Sequence, residues 1–408
     1  MKCGLLGRKL SHSYSPQIHQ QLGNYSYSLY EKEPHELENF LLNGDFSGLN
    51  VTVPYKKTVI PYLHELSPIA KRLGAVNTIV RRADGTLIGH NTDYFGLKTM
   101  LEHSGIDLAG KKTLILGSGG ASNTAVAVVE ELGGQAVVIS RSGENNYSNL
   151  HKHRDAAVII NATPVGMFPH TDVAPVSLDT FPAVEAVCDL IFNPAHTKLL
   201  MDAECRGIKA VNGLLMLVAQ AKESAEWFSG TAIAEHRIQD IYCKIRRQTE
   251  NIILIGMPGS GKSTIAQALS RKTGKPIIDS DAEIIRISGK SIPEIFEDEG
   301  ENGFRILEAS VLSQIGTKSG VIIATGGGCV TRTENYSALH QNGRIFWIKR
   351  DLSMLATEGR PLSHKEKLSE MFDQRRPKYE AFADFTIDNH GTIEDAVNNI
   401  LSTLEDTV

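Results

Sequence analysis

Short, predominantly apolar runs recur along the chain, each followed by a longer segment in which apolar residues return at helical spacing. The runs fall at 113–116, 136–139, 157–160, 187–191, 252–255, 321–324 and 345–348. Runs of this kind, in which Asp189 is the one charged residue, suit a strand covered on both faces, and strands alternating with helices predict parallel α/β sheets. Residues 231–250 break the rhythm, reading as polar and helical, and Arg246-Arg247-Gln248-Thr249-Glu250 leads straight into the run at 252–255. The major boundary is placed there. No internal repeat or low-complexity tract is visible, but a unit of strand, glycine loop and helix occurs in both halves.

The later unit carries Gly256-Met257-Pro258-Gly259-Ser260-Gly261-Lys262-Ser263-Thr264, which fits G-x-x-x-x-G-K-[ST] between a strand and a helical run. Backbone N–H groups of Gly259, Ser260 and Gly261 and of the helix N-terminus would wrap phosphate. Lys262 would reach the β and γ oxygens, and Ser263, next to Thr264, would hold Mg²⁺. The earlier unit carries Gly117-Ser118-Gly119-Gly120-Ala121-Ser122 between the run at 113–116 and a helical run from about Asn123. That is where a dinucleotide pyrophosphate would sit, although Ser122 replaces the third glycine. The next strand ends in Ser140-Arg141-Ser142, with no acid to hold a ribose 2′-hydroxyl. Arg141 suits a 2′-phosphate, which favours NADP over NAD. Two nucleotide loops imply two catalytic domains.

A chain of 408 residues exceeds one typical core and suggests two or three domains. Its 41% hydrophobic and 22% charged residues are ordinary for a globular protein, and a net charge of −5 gives no footprint for nucleic acid or an anionic membrane. No apolar segment approaches the about 18 residues of a membrane span, and the N-terminal residues lack a charged-then-apolar leader pattern. Cys3, Cys188, Cys205, Cys243 and Cys329 are scattered and never in C-x-x-C spacing, so neither a disulfide framework nor a zinc site is suggested. A cytoplasmic enzyme acting on small molecules is the expectation.

Four polar clusters precede the first glycine loop: Ser11-His12-Ser13-Tyr14-Ser15-Pro16, Asn50-Val51-Thr52-Val53-Pro54-Tyr55-Lys56, Ala75-Val76-Asn77-Thr78 and Gly89-His90-Asn91-Thr92-Asp93. Each sets short hydroxyl, amide or charged groups beside small residues, as a pocket for a polyhydroxylated acid would. Any one alone reads as an N-cap, a turn or a solvated charge. Together with the stretches from Asn161 to Met167, Asp189 to Pro194 and Asn212 to Gln220, their order and spacing resemble shikimate dehydrogenase over about residues 1–240. The resemblance implies that Ser13 and Ser15 bind the substrate carboxylate and that Thr52, Asn77, Asp93 and Gln220 hold ring hydroxyls. It makes Lys56 the catalytic acid/base, held by Asp93, and counts Gly213 with Gly117, Ser118, Gly119, Gly120, Ala121, Ser140, Arg141 and Ser142 among the cofactor contacts. Two departures stand out: Phe192 occupies the place of the family's tyrosine, and the cofactor turn has no second arginine near Asn145.

After the phosphate loop, Ile277-Ile278-Asp279-Ser280-Asp281 reads as a strand ending in two acids expected to face different ways, one toward Mg²⁺ and one toward substrate. Gly300 to Arg305, Gly326-Gly327-Gly328, Arg360-Pro361-Leu362 and Arg375 to Tyr379 follow. With the phosphate loop this series resembles shikimate kinase from about residue 251 onward. The resemblance implies that Asp281 binds the substrate hydroxyls and accepts the proton of the attacking one, while Asp279 assists Mg²⁺. It implies that Arg305 and Arg375 clamp the carboxylate, that Gly327 lets the backbone approach the ring, and that Arg360 comes from a short lid, between about Arg350 and Lys367, to the ATP phosphates.

The expected architecture is therefore α/β throughout: a substrate-binding domain (1–92 plus about 218–245), a Rossmann NADP-binding domain (93–217) and a P-loop kinase domain with a parallel sheet (251–408). The expected activities are reduction of 3-dehydroshikimate with NADPH and phosphorylation of shikimate with ATP and Mg²⁺, by a monomer or homodimer with no nucleic-acid or membrane partner. Three rival readings remain. The first half acts on quinate with NAD, one half is a non-catalytic module, or the second half is a generic P-loop ATPase acting on a protein.

Overall fold

The computed structural model describes residues 1–10, 13–355 and 365–406. Its chain divides into two compact units: residues 1–167, 173–192 and 199–245, and residues 168–172, 193–198 and 246–408. Among the described residues no helix is long and apolar enough to cross a membrane.

The first unit holds two sheets. β1 (Lys2–Gly7), β2 (Ser26–Glu31), β3 (Gly48–Val51), β4 (Glu65–Leu66), β5 (Thr78–Arg81) and β6 (Leu87–His90) lie in the order β2-β1-β3-β5-β6-β4. The sheet is mixed, since β5 runs antiparallel to both β3 and β6. No hydrophobic run predicted these strands. β1 is broken by Gly4, and β2 is an exposed edge in which polar and aromatic residues alternate. The second sheet, β7 (Lys112–Leu116), β8 (Gln135–Ile139), β9 (Val158–Asn161), β10 (Ala186–Asp189) and β11 (Lys209–Val211), has the order β11-β10-β9-β7-β8 and is parallel throughout. For β7 to β10 the apolar runs and the strands agree to within a residue or two, because both faces of β7, β9 and β10 are covered, whereas no run marked β11.

Helices Asp93–His103 and Leu214–Ser229 pack along each other. Their approach needs Gly96, where a Cβ would stand 2.6 Å from the Met216 carbonyl oxygen. Two residues far apart in sequence, Asp93 and Gln220, are brought to one place by that crossing.

The second unit is built on β12 (Asn251–Ile255), β13 (Ile277–Asp279), β14 (Ile322–Ala324), β15 (Gly343–Lys349) and β16 (Phe385–Asp388), parallel and ordered β13-β14-β12-β15-β16. Alternate residues of β12 feed opposite cores: Ile253 and Ile255 join one cluster, Ile252 and Leu254 the other. The segment expected to be helical over 231–250 is helical only as His236–Thr249. Two earlier segments also belong to this unit, where the Ala195 amide donates to Asn342 Oδ1 at 3.0 Å and the His196 amide to the Gln341 carbonyl at 2.8 Å.

Candidate active sites

In the first unit, Lys56 follows the loop after β3 and Asp93 opens the helix after β6. Lys56 Nζ donates to Asp93 Oδ2 at 2.6 Å, both side chains being largely buried. The other carboxylate oxygen, Oδ1, accepts from Asn77 Nδ2 at 2.9 Å, and the Asn77 amide is itself oriented by Thr92, whose backbone N–H donates to Asn77 Oδ1 at 2.7 Å. Behind them lies a fully enclosed hydroxyl cluster. Ser224 Oγ donates to the Gln220 carbonyl at 2.8 Å, accepts from Asn50 Nδ2 at 2.8 Å, and lies 2.9 Å from the hydroxyls of Thr78 and Thr92. Buried polar groups are costly unless paired, and a satisfied network of this kind fixes one arrangement of its members. Gln220 reaches the same group at 3.5 Å from Asn77 Nδ2.

Sequence reasoning named Asn77, Asp93, Lys56 and Gln220 but missed Thr78, Thr92, Ser224 and Asn50 as the frame behind them. The signal available was a serine one helical turn after Gln220, which by itself looks like any other serine. Ser13 and Ser15 sit together at the start of helix Ser15–Leu22, the Ser15 amide donating to Ser13 Oγ at 3.2 Å. Thr52 lies against β1, its methyl 2.8 Å from where a Gly7 Cβ would stand. Ser11 and His12 lie outside the described residues. Phe192 packs on Tyr14 with ring centroids 5.4 Å apart, an apolar contact where a tyrosine was expected.

The glycine loop at Gly117 leaves the carboxyl end of β7 and opens helix Gly120–Glu131, three residues earlier than expected. Ser122, in place of the third glycine, ties the turn together: its Oγ donates to the Gly117 carbonyl at 2.8 Å. A Cβ at Gly119 or Gly120 would meet nothing within 4 Å, so the loop and the helix N-terminus face open space, as a bound pyrophosphate requires. Arg141 is exposed just beyond β8, where its charge draws down the Tyr147 phenol, whose proton affinity burial raises overall. Ser140 is tied to Asn146 by a backbone bridge, and Ser142 follows in the same turn. The Gly213 amide donates to the Ile191 carbonyl at 3.0 Å, and a Cβ there would collide with Leu190.

In the second unit, β12 runs into the phosphate loop and helix Lys262–Thr273. Gly261 adopts φ +98°, a left-handed conformation, and a Cβ there would stand 2.7 Å from Asn389 Nδ2. Lys262 Nζ folds over the loop to the carbonyls of Gly256 and Met257, at 2.8 and 3.0 Å. Ser263 and Thr264 are exposed at the helix N-terminus, as a metal and phosphate contact would need.

The two acids differ in a way the strand pattern misdescribed, since residues two apart on one strand share a face. The strand stops at Asp279, whose Oδ1 caps helix Ser280–Ser288 by accepting from the amides of Asp281 and Ala282 at 3.0 and 3.1 Å. Asp281 is helical and turns toward the triglycine loop, its Oδ1 2.5 Å from where a Gly326 Cβ would stand. Around that loop, Arg375 Nη1 and the Tyr379 hydroxyl both donate to the Gly327 carbonyl. The Arg305 guanidinium fills the space where a Gly328 side chain would be. Arg305 in turn donates to Glu308 Oε2 at 2.7 Å, and burial raises the Glu308 carboxyl above the usual range. Glu308, absent from the sequence-based set, is the residue that orients Arg305. Its signal was the three-residue helical spacing. Arg360 lies outside the described residues.

The family model described as shikimate dehydrogenase substrate binding domain matches residues 5–79, and the one described as shikimate kinase matches residues 258–405. The NADP(+) shikimate dehydrogenase of Clostridium perfringens (strain SM101) is 33% identical over 266 residues, covering 60% of this chain and 97% of that protein. The crystal structure of shikimate dehydrogenase 1 from Peptoclostridium difficile superposes with TM-score 0.56 at 39% identity, covering 60% of this chain and 97% of that one. A chorismate mutase/shikimate 5-dehydrogenase fusion from Clostridium acetobutylicum gives 0.57 at 34%, covering 60% and 96%. Through its N-terminal three-fifths this chain belongs to the shikimate dehydrogenase family, and it carries a shikimate kinase domain behind it.

Proposed function

We propose that one chain performs two consecutive reactions: NADPH-dependent reduction of 3-dehydroshikimate to shikimate, then ATP-dependent phosphorylation of shikimate to shikimate 3-phosphate. The observation that carries this is a Lys56 ammonium fixed on Asp93 in one unit, alongside a phosphate loop flanked by Asp281, Arg305 and Arg375 in the other. In the first reaction the nicotinamide supplies a hydride to the ring carbonyl carbon. Lys56 delivers a proton to the developing alkoxide oxygen and recovers it from solvent, while Asp93 holds the amine in place. Asn77, Thr52 and Gln220 hold ring hydroxyls, Ser13 and Ser15 hold the carboxylate, and Arg141 meets the 2′-phosphate of NADP.

In the second reaction a shikimate hydroxyl oxygen attacks the γ-phosphorus, the bond to the β-bridging oxygen breaks, and Asp281 takes the hydroxyl proton. Arg305 and Arg375 clamp the carboxylate, and the Gly327 backbone lets the ring lie close. The loop amides and Lys262 stabilise the transferring charge, and Arg360 is assigned to the ATP phosphates. Ser263 and Asp279 are the residues that would hold Mg²⁺, which neutralises phosphate charge. The division into a substrate domain, a Rossmann domain and a kinase domain belongs to the same proposal, as do a cytoplasmic location and a monomeric or homodimeric state.

The test is one coupled assay. Given 3-dehydroshikimate, NADPH and Mg-ATP, the purified chain should oxidise NADPH and yield shikimate 3-phosphate by mass. NADPH oxidation with shikimate as the end product would remove the kinase half of the reading.

A further inference from the structure

The parallel sheet of the second unit divides at the phosphate loop. On the β13 and β14 side, the carboxyl ends lead to Asp279, Asp281 and the triglycine loop, where the acceptor-side groups gather. On the β15 and β16 side, the carboxyl ends lead to Arg350 and Asn389. Ligands of open α/β sheets sit across the carboxyl ends of the strands. With the γ-phosphate directed at Asp281, the α-phosphate and nucleoside must extend the opposite way, over β15 and β16.

Two side chains wait there. Asn389 Nδ2 donates to the Ser260 carbonyl at 2.8 Å and so braces the phosphate loop from outside. Beside it, Arg350 Nη1 lies 3.9 Å from where a Cβ on Gly261 would stand. Arg350 Nε is buried and has no hydrogen-bond partner, and among the described residues no carboxylate pairs with this guanidinium. The adjacent acid, Asp351, is engaged instead with His390 at 3.2 Å. A guanidinium placed beside the loop, short of acceptors and facing the nucleoside side, is suited to a phosphate oxygen.

Resting on the kinase reading above, we propose that Arg350 binds the α-phosphate of ATP, a second cation at this site besides Lys262. The contact grips the nucleotide and leaves the acceptor alone, so Arg350 tunes ATP affinity without touching the acceptor.

The full chain carrying Arg350→Ala, and separately Arg350→Lys, is titrated calorimetrically with Mg-ATP and with Mg-tripolyphosphate, and its KM for shikimate is measured. NADPH oxidation by the same preparations reports that the first unit is folded, and measurable phosphorylation of shikimate at saturating Mg-ATP reports that the second is. Expected is a loss of about 10-fold or more in affinity for both phosphate ligands in Arg350→Ala, with a smaller loss in Arg350→Lys and little change in KM for shikimate. Unchanged ATP affinity in Arg350→Ala would overturn the assignment. So would a loss for ATP alone with tripolyphosphate unaffected, which would put Arg350 on the base, or an equal loss for shikimate, which would mark general damage to the domain. Should Arg350→Ala fail to fold, Arg350→Lys decides: undiminished affinity for both ligands rejects the contact. A wild-type chain that phosphorylates nothing would fail the kinase reading itself, an outcome separate from all of these.

Discussion

The two sites are prepared for their ligands in opposite ways. Around Lys56 the polar groups are held by one another in a chain: Asp93 by Asn77, Asn77 by Thr92, Thr92 by Ser224. Around Lys262 the frame is backbone, with positive-φ glycines and loop carbonyls, and the groups beside it keep unmade bonds at Arg305 Nε, Glu308 Oε1 and Arg350 Nε. Proton delivery to a single oxygen needs one donor at one angle, which a wired network supplies. Phosphoryl transfer needs many donors spread over several oxygens, which a helix terminus and a ring of cations supply once the anion arrives. A single substitution should therefore injure the first site through geometry and the second through charge.

Lys56→Ala breaks the comparison most severely. It should lower dehydrogenase turnover on the order of 10²- to 10⁴-fold while kinase turnover stays near wild type. Near wild-type NADPH oxidation by the purified variant would leave Lys56 as a structural partner of Asp93 and remove its role as proton donor. Lys262→Met is the counterpart, expected to lower phosphoryl transfer by about 10²- to 10³-fold and to leave shikimate accumulating in the coupled assay. Sustained shikimate 3-phosphate from that variant would remove the role assigned to the lysine.

Arg141→Ala sharpens the comparison, because in the proposed reading the first unit also turns an exposed cation toward its ligand. NADP affinity should fall about 10- to 150-fold with little change for NAD, and equal losses for both cofactors would contradict a 2′-phosphate contact.

The smallest effect tests how tightly the first unit is wired. His19 is fully buried, stacked on Tyr27 with centroids 4.1 Å apart, and bonded through Nδ1 to the Tyr25 hydroxyl at 2.7 Å. Burial holds its imidazole down to about 3. A histidine depressed in the folded state binds its proton more readily unfolded, so its stabilising contribution is complete above pH about 6.5 and drains away as pH falls toward 3. Between pH 7 and 5 the loss should be about 2 kcal/mol in urea unfolding of this unit. His19→Gln should flatten that slope, and an undiminished slope would place the proton uptake elsewhere.

Much of this was legible without coordinates. The solid runs found β7 to β10, β12, β14 and β15 because strands buried on both faces must be continuously apolar. Both nucleotide loops were readable because a chain that wraps phosphate needs glycines at fixed spacing ahead of a helix. β1 to β6 escaped the pattern because a mixed sheet with an exposed edge alternates polar with apolar and includes Gly4, Gly48 and Gly89. Asp281 was identified but placed on a strand, because a helix cap formed by Asp279 looks the same as a strand end until the amides are located.

What the sequence settled by itself was therefore local: which segments are strands buried on both faces, where glycine loops run from a strand into a helix, and which short polar clusters to examine for site residues. Those properties depend on neighbours within a few residues, and neighbours in the chain are known. The tertiary structure decided which distant groups meet. Gly96 lets two helices close until Gln220 and Ser224 stand behind Asn77, and Arg375 and Tyr379 reach the Gly327 carbonyl from a helix far along the chain. It also set Arg350 beside Gly261, a contact fixed by the order of strands in the sheet, where β15 lies next to β12 although most of the domain's sequence separates them.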